Sequence, residues 1–384
     1  MAKRPADEKM APLSGIRVVD FSSMIAGPYC TRMLADLGAE VIKVEEPGGD
    51  NMRTRSPTRE GHSAYFGHLN AGKKSLVLDL KTPDGLDAAR RLIATADVLL
   101  EAFRPGVMQR LGLDYEASSK LNPRLIYCAI SGFGQTGPDA GRPAYAPLVH
   151  AASGYELANM EYLKLDRPGG SGVFFADVMC GIQATVAIEA ALLTRARRQQ
   201  GEFIDVTLMD TMVNLLVYEF QAAQFPGGPP RLIYAPLRAT DGFVLITPIS
   251  QRNFEAMADA MDRGGWKTDP LYATPKARER NWDALMELAE KWTEQRTAEA
   301  CEAAMLAGGV PCARYRTVRE MLADPQLAAR GSFAEVEDGA GTFLVPNLPF
   351  KFRNSRAGVG RHVPTLGEHS EPILAELARP NGQR

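Results

Sequence analysis

The feature that most limits the fold of this chain is a strict alternation, from Leu13 to about Leu208, of short apolar runs with longer amphipathic stretches. The runs are Arg17–Phe21, Glu40–Val44, Ser75–Leu80, Asp97–Glu101, Leu125–Ile130 and Phe203–Leu208. Each is short, apolar and bounded by turn residues, as expected of a strand buried on both faces. Helical signals lie between them. Gly27-Pro28 opens one helix and Gly38 closes it. Thr82-Pro83 opens another, with Thr82 as N-cap and Pro83 in the first helical position, and it runs to about Ala96. A long helix is expected from about Phe175 to Arg198, and a further one up to about Gln224. Strands alternating with helices give an α/β fold, a mostly parallel sheet with helices on both faces, whose ligands bind beyond the carboxyl ends of the strands.

The alternation stops at Gly227-Gly228-Pro229-Pro230, which reads as a domain boundary. Beyond it, Ala239-Thr240-Asp241-Gly242 has the composition of a hairpin turn. Helices are expected at Arg252–Met261, Trp282–Gln295 and Thr297–Leu306, giving a smaller α+β domain. Strand-like Ala334–Glu337 and Thr342–Val345 suggest that the tail returns to the first domain. The expected division is 1–225, 226–330 and 331–384.

Composition narrows the function classes. The 384 residues carry 44 Lys+Arg against 46 Asp+Glu, so no global basic field exists to hold nucleic acid or an anionic membrane. An anionic ligand must meet a local cluster of cations. Five cysteines, none in a C-x-x-C pair, suit a reducing compartment rather than a disulfide or zinc-thiolate framework. The five histidines are dispersed, and no metal motif is read. The polar start MAKRPADEKMAPLSG lacks the apolar stretch of a signal peptide, and the most apolar helices carry Glu189 and Asp210. A cytoplasmic protein is expected.

Several constellations bear on chemistry. The first strand–turn–helix, Asp20 to Pro28, stands where a dinucleotide fold keeps its phosphate loop, but it lacks G-x-G-x-x-G, and Pro28 removes an amide. Glu45-Glu46 imitates the ribose-binding acid of such folds only weakly. Lys73, Lys74, Lys81, Arg104, Arg110 and Arg142 are expected at the carboxyl ends of strands, where they are either phosphate donors or solvated surface charges. Asp177 follows the glycine-rich Gly169-Gly170-Ser171-Gly172 and opens an apolar helix. An acid there is commonly a dipole partner. Aromatic residues before it and small apolar ones after it predict desolvation, hence a nucleophile with glycine amides available to an oxyanion. His150, in an apolar helix, reads as a hydrogen-bonded core residue, and Cys180 as packing. His362 and His369 read as structural.

Taken together, Leu13–Phe21, Ala26-Gly27-Pro28, Leu37–Glu45, Ala96-Asp97-Val98, Arg104-Pro105-Gly106, Leu121–Tyr127, Ser131–Gln135, Ala239–Gly242 and Leu366–His369 resemble the class III CoA-transferases, the CaiB/BaiF group. The resemblance implies a Rossmann-like large domain built from both chain ends, a small domain, and two chains interlocked as rings in a homodimer. It implies that Asp177 is the nucleophile and that coenzyme A, as acyl-CoA co-substrate, contacts Met24, Ile25, Ala26, Leu78 to Lys81, Ala102, Phe103, Arg104 and Arg110. No metal or ATP is implied, since thioester energy is conserved. The partners would be an acyl-CoA and a small carboxylic acid. Tyr145 is a substrate candidate, with Tyr234 and Arg238 as further pocket candidates. Where related α-methylacyl-CoA racemases carry Gly-His-Asp, this chain has Ala144-Tyr145-Ala146, so the racemase alternative lacks its second base. The acidic or amide residue that transferases often place after Tyr145 is also absent. A multi-glycine small-domain loop is missing, which argues against oxalate. A catalytically silent acyl-CoA-binding protein is the third reading, and the acids exchanged stay open among carnitine-type, bile-acid-type and short dicarboxylate substrates.

Overall fold

Six parallel strands, the four central ones almost wholly buried, organise the larger part of the molecule. The computed structural model describes residues 9–227 and 231–379. The polar residues 1–8 and Gly228-Pro229-Pro230 of the expected boundary lie outside the described residues. In chain order the strands are β1 (Arg17–Phe21), β2 (Glu40–Glu45), a two-residue pair β3 (Thr58–Arg59) and β4 (His62–Ser63), then β5 (Lys74–Val77), β6 (Val98–Glu101), β7 (Ile126–Ser131) and β8 (Glu202–Thr207). The six-stranded sheet runs β5-β2-β1-β6-β7-β8 with all pairs parallel. Strand order therefore reverses between β1 and β6, the place where α/β sheets open a crevice.

The helices obey local signals. Thr82 caps the helix Pro83–Ala94 by accepting the Gly85 N–H at 3.1 Å. Gly38, at φ +98°, follows the helix Ala26–Asp36. The strand expected at Ser75–Leu80 ends at Val77, and the helix expected up to Gln224 is two, Leu208–Leu215 and Val217–Gln224. One face of the sheet is covered by Ala26–Asp36 and Phe175–Arg198, packed through Cys30, Leu34, Cys180, Ala184 and Ile188. The other is covered by Pro83–Ala94 and by Ser370–Leu377 from the tail, whose Ile373 lies in one core with Leu76, Leu92 and Leu99. By length and composition Phe175–Arg198 could cross a membrane. Here its buried stripe belongs to the core.

The chain divides into two compact units, residues 1–224 with 328–384, and residues 225–327. In the second, β9 (Leu237–Ala239) and β10 (Gly242–Ile246) form a hairpin closed by Thr240-Asp241, and β11 (Cys312–Arg314) pairs on the other side of β10. Helices Gln251–Ala260, Trp282–Thr293 and Ala298–Ala307 pack there around Phe254, Trp282 and Trp292. In the first unit, β12 (Phe333–Asp338) and β13 (Gly341–Pro346) form an antiparallel pair whose Val336 and Val345 share a core with Ile25, Phe66 and Leu69.

Candidate active site

A buried charge network sets the shape of the turn after β1. Asp20 is fully buried and accepts hydrogen bonds from Thr31 Oγ1 (2.6 Å), Lys73 Nζ (3.2 Å) and the Ser22 N–H (2.9 Å). Burial alone would raise its carboxyl, but Lys73, Lys43 and the two hydroxyls hold it below the ordinary carboxylate range. Burial pulls the Lys73 ammonium down to about 8, against the attraction of Asp20. Lys43, also fully buried, donates to the Ser22 carbonyl (2.7 Å) and pairs with Asp50 (2.9 Å). Asp50 in turn accepts the Met24 N–H at 3.5 Å. Met24 adopts φ +66°, a left-handed conformation that costs a β-carbon-bearing residue energy, so the surrounding bonds must fix it.

This turn forms one wall of a cleft of about 310 Å³ at the carboxyl ends of β1, β6 and β7. Met24, Ile25 and Ala26 line it, as do Ala102, Phe103 and Arg104 after β6, and Arg142 and Tyr145 after β7. Asp177 lines it as well, half-buried in the first turn of Phe175–Arg198. Desolvation pushes its carboxyl up to about 6, so at neutral pH it is largely ionised yet held in a site that disfavours its charge. The helix leaves few donors beside it. The Phe175 N–H reaches the Val173 carbonyl (3.0 Å), the Ala176 N–H reaches His150 Nε2 (3.1 Å) and the Val178 N–H reaches the Phe174 carbonyl (3.2 Å). Among the described residues none accepts the Asp177 N–H.

Sequence and structure part company at Lys73, Lys74 and Glu45, and the other candidates take definite places. Lys73 and Lys74 are not cleft cations: they stand at the amino end of β5, where Lys73 is locked to Asp20 and Lys74 pairs with Glu40. Glu45 is no ribose acid either, since Arg53 grips both its oxygens at 2.7 Å and Ser75 Oγ donates to it at 2.7 Å. Gly169, Gly170 and Gly172, the glycines expected to offer amides to an oxyanion beside Asp177, are not among the residues that line this cleft. The Leu78 side chain is part of the core, and exposed Lys81 and Arg110 lie outside the cleft lining. Tyr234 packs edge-on against Trp282, with ring centroids 5.4 Å apart. Arg238 is exposed, its guanidinium 5.8 Å from the Phe243 ring centroid.

The readings of Cys180, His362 and His369 fit what is seen. Burial pushes the Cys180 thiol up to about 12, a neutral packing group. His362 pairs with Glu368 at 2.8 Å, and His369 Nδ1 accepts the Ser75 N–H at 3.3 Å, tying the tail to β5. Among the described residues no group of His, Cys, Asp or Glu is arranged to hold a metal.

Three contributors escaped the sequence. Glu101 ends β6, accepts the Phe103 N–H at 2.7 Å and has its carboxyl pushed by burial up to about 7. Asn51 lines the cleft from beyond β2. Tyr65 has its phenol raised first by burial and then by the charge of Asp177. Only the strand-end position of Glu101 was a signal available beforehand; the other two depend on tertiary approach.

Comparison with known proteins gives a consistent picture. The model of CoA-transferase family III matches residues 13–370. A succinate–glutarate CoA-transferase of Agrobacterium fabrum is 36% identical over 389 residues, covering 95% of this chain and 96% of that protein. An acetyl-CoA:oxalate CoA-transferase of Acetobacter aceti is 34% identical over 395 residues, covering 99% of each. The crystal structure of a CaiB/BaiF family protein from Brucella suis superposes with a TM-score of 0.85 at 35% identity, covering 96% of this chain and 100% of that one.

Proposed function

The chain belongs to CoA-transferase family III, and from that premise we propose that it moves CoA from an acyl-CoA to a free carboxylic acid through covalent intermediates on Asp177. The observation that carries this reading is a desolvated, largely ionised carboxylate in the cleft at the strand-order reversal. Such a group needs no general base to attack a thioester. An Asp177 oxygen adds to the thioester carbonyl, the carbon–sulfur bond breaks, and CoA leaves as its thiolate, giving a mixed anhydride. The thiolate then attacks the aspartyl carbonyl, releasing the first acid as its carboxylate and leaving an aspartyl-CoA thioester. The incoming carboxylate displaces CoA thiolate to form a second anhydride. Attack of that thiolate on the new acyl carbonyl yields the product and restores Asp177. No net proton is exchanged, and no step calls on a metal.

Arg104 and Arg142 supply cations for the phosphates of CoA or for an acid's far carboxylate, and Met24, Ile25 and Phe103 supply an apolar wall for its thioester arm. Short dicarboxylic acids are the substrate class we favour, on the names of the relatives. Oxalate belongs in the test panel beside succinate and glutarate, given the relative named for it. Absence of an acidic residue after Tyr145 fits a site that relies on cations rather than on a second acid. His150 donates nothing to a racemase reading, because its Nε2 is taken by the Ala176 N–H.

The functional unit we propose is a cytoplasmic homodimer of interlocked chains. Val186 and Leu193 on the Asp177 helix and Val217 and Phe220 beyond it are exposed, an apolar surface suited to a second copy. Light scattering that gave a monomer would remove that part. The central test incubates the protein with short acyl-CoAs and hydroxylamine, then maps the peptides by mass spectrometry. A hydroxamate on Asp177 supports the route. Asp177→Ala should bind CoA and transfer nothing; appreciable turnover by that variant would sink the assignment.

A further inference from the structure

We propose that His150 is a positioning residue for the nucleophile, acting as a neutral imidazole that fixes the peptide immediately ahead of Asp177. This inference rests on the reading of Asp177 as nucleophile. His150 is completely buried in the helix Ala146–Ala152, 26 residues before the amide that it binds. The Ala176 N–H donates to its Nε2 at 3.1 Å. A backbone amide is a fixed donor, so Nε2 must be the unprotonated nitrogen; the other tautomer would face one N–H with another. The proton therefore sits on Nδ1, which is buried and has no hydrogen-bond partner among the described residues. Leaving a buried donor unpaired is unfavourable, and the ring keeps that tautomer because the Ala176 N–H requires an acceptor at Nε2. Tyr155 and Phe175 clamp the ring, with centroids at 5.8 and 6.0 Å.

The consequence reaches the cleft from two sides. Holding the Ala176 N–H orients the peptide plane one residue before the reacting carboxylate. It also leaves the Asp177 N–H as the one amide from Phe175 to Val178 without an acceptor among the described residues, and so the donor of that turn free to meet a developing oxyanion. The helix that carries His150 follows directly on Tyr145, itself a cleft residue, so the bond ties two walls together.

The test compares His150→Leu with His150→Gln. Leucine fills the space and accepts nothing, whereas the glutamine amide oxygen can accept the same N–H without titrating. With His150→Leu, kcat should fall about tenfold to a hundredfold while KM for acyl-CoA stays within about twofold, as expected when only the geometry of attack is lost. His150→Gln should recover most of that loss. A folded His150→Leu variant with the wild-type kcat, or a His150→Gln variant as slow as it, overturns the proposal. Should the leucine variant fail to fold, nitrogen NMR of the histidine-labelled wild-type protein decides: an Nδ1–H tautomer at pH 7.5 is required, and an Nε2–H tautomer or an imidazolium overturns it. Hydroxamate mapping of the same samples keeps the two ideas apart. Absence of the Asp177 adduct in the wild type defeats the nucleophile, and an equal adduct rate in wild type and His150→Leu defeats the positioning role.

Discussion

Replacing Asp177 by Asn should stabilise the protein as it destroys activity, and the size of the effect follows from the site. Burial lifts the Asp177 carboxyl from the ordinary 3.8 to about 6, so the folded state binds a proton more tightly than the unfolded chain does. A raised acid of this kind supports the fold fully below pH 3.8 and loses that support as pH rises through about 6. About two units at ~1.4 kcal/mol each give a cost near 3 kcal/mol at pH 8, an upper bound because the carboxylate is half-buried and partly screened. Asparagine carries no charge to desolvate. Its stability advantage over wild type should be absent near pH 4, grow through pH 5 and 6, and level off above pH 7. Differential scanning calorimetry of both proteins at matched scan rate across that range reads it as a gap in Tm of several degrees at pH 8. Wild-type kcat/KM should fall about tenfold per unit below pH 6, as the nucleophile takes up its proton. A Tm gap that is the same at pH 4 and pH 8 would refute the desolvation argument, whatever the activity does.

Three other perturbations have defined outcomes. Lys73→Met leaves Asp20 buried without its ammonium partner and should cost about 3–5 kcal/mol in urea unfolding, most of it recovered by adding Asp20→Asn; a loss under about 1 kcal/mol would contradict the network. Gly181→Ala places a β-carbon 2.7 Å from the Ala26 carbonyl oxygen and 3.2 Å from Cys30 N, so the Asp177 helix must move off its neighbour. A destabilisation of about 1–3 kcal/mol with weaker CoA binding, measured by calorimetry, is expected, and unchanged affinity would count against Ala26 as a cleft wall. Arg104→Ala should weaken CoA binding and flatten its salt dependence while leaving single-turnover chemistry intact; an unaltered salt profile would remove Arg104 from phosphate contact.

What was legible in the sequence is what depends on neighbours along the chain. Thr82 and Pro83 announced a helix start because cap and ring act within three residues, and Thr240-Asp241 announced a hairpin for the same reason. Asp177 was visible as an acid at the mouth of an apolar helix. Lys73 shows where such reasoning ends. Beside a strand it looks like a solvent-facing cation, and only the pairing of β5 with β2, and β2 with β1, brings it to an aspartate 53 residues away. Glu45 was lost to Arg53 and Ser75 in the same way. For the glycines before Asp177, composition gives the freedom of an amide and not its direction.

The use of both chain ends to build one unit has a consequence for how the protein is made. Leu76, Leu92 and Leu99 share their core with Ile373, and Val77 donates its N–H to Ser370, so the part of that face beside Pro83–Ala94 where the tail packs stays uncovered until the ribosome has delivered it. Translation emits residues in order, at about 5–20 per second, and the nascent sheet must wait through all of residues 225–327 with that apolar surface open. Chains stopped by premature termination before the tail would keep the full β1–β8 sheet and lack the part of its cover that Ser370–Leu377 supplies. Protein quality control would therefore meet such fragments as sticky, protease-sensitive species rather than as smaller working enzymes.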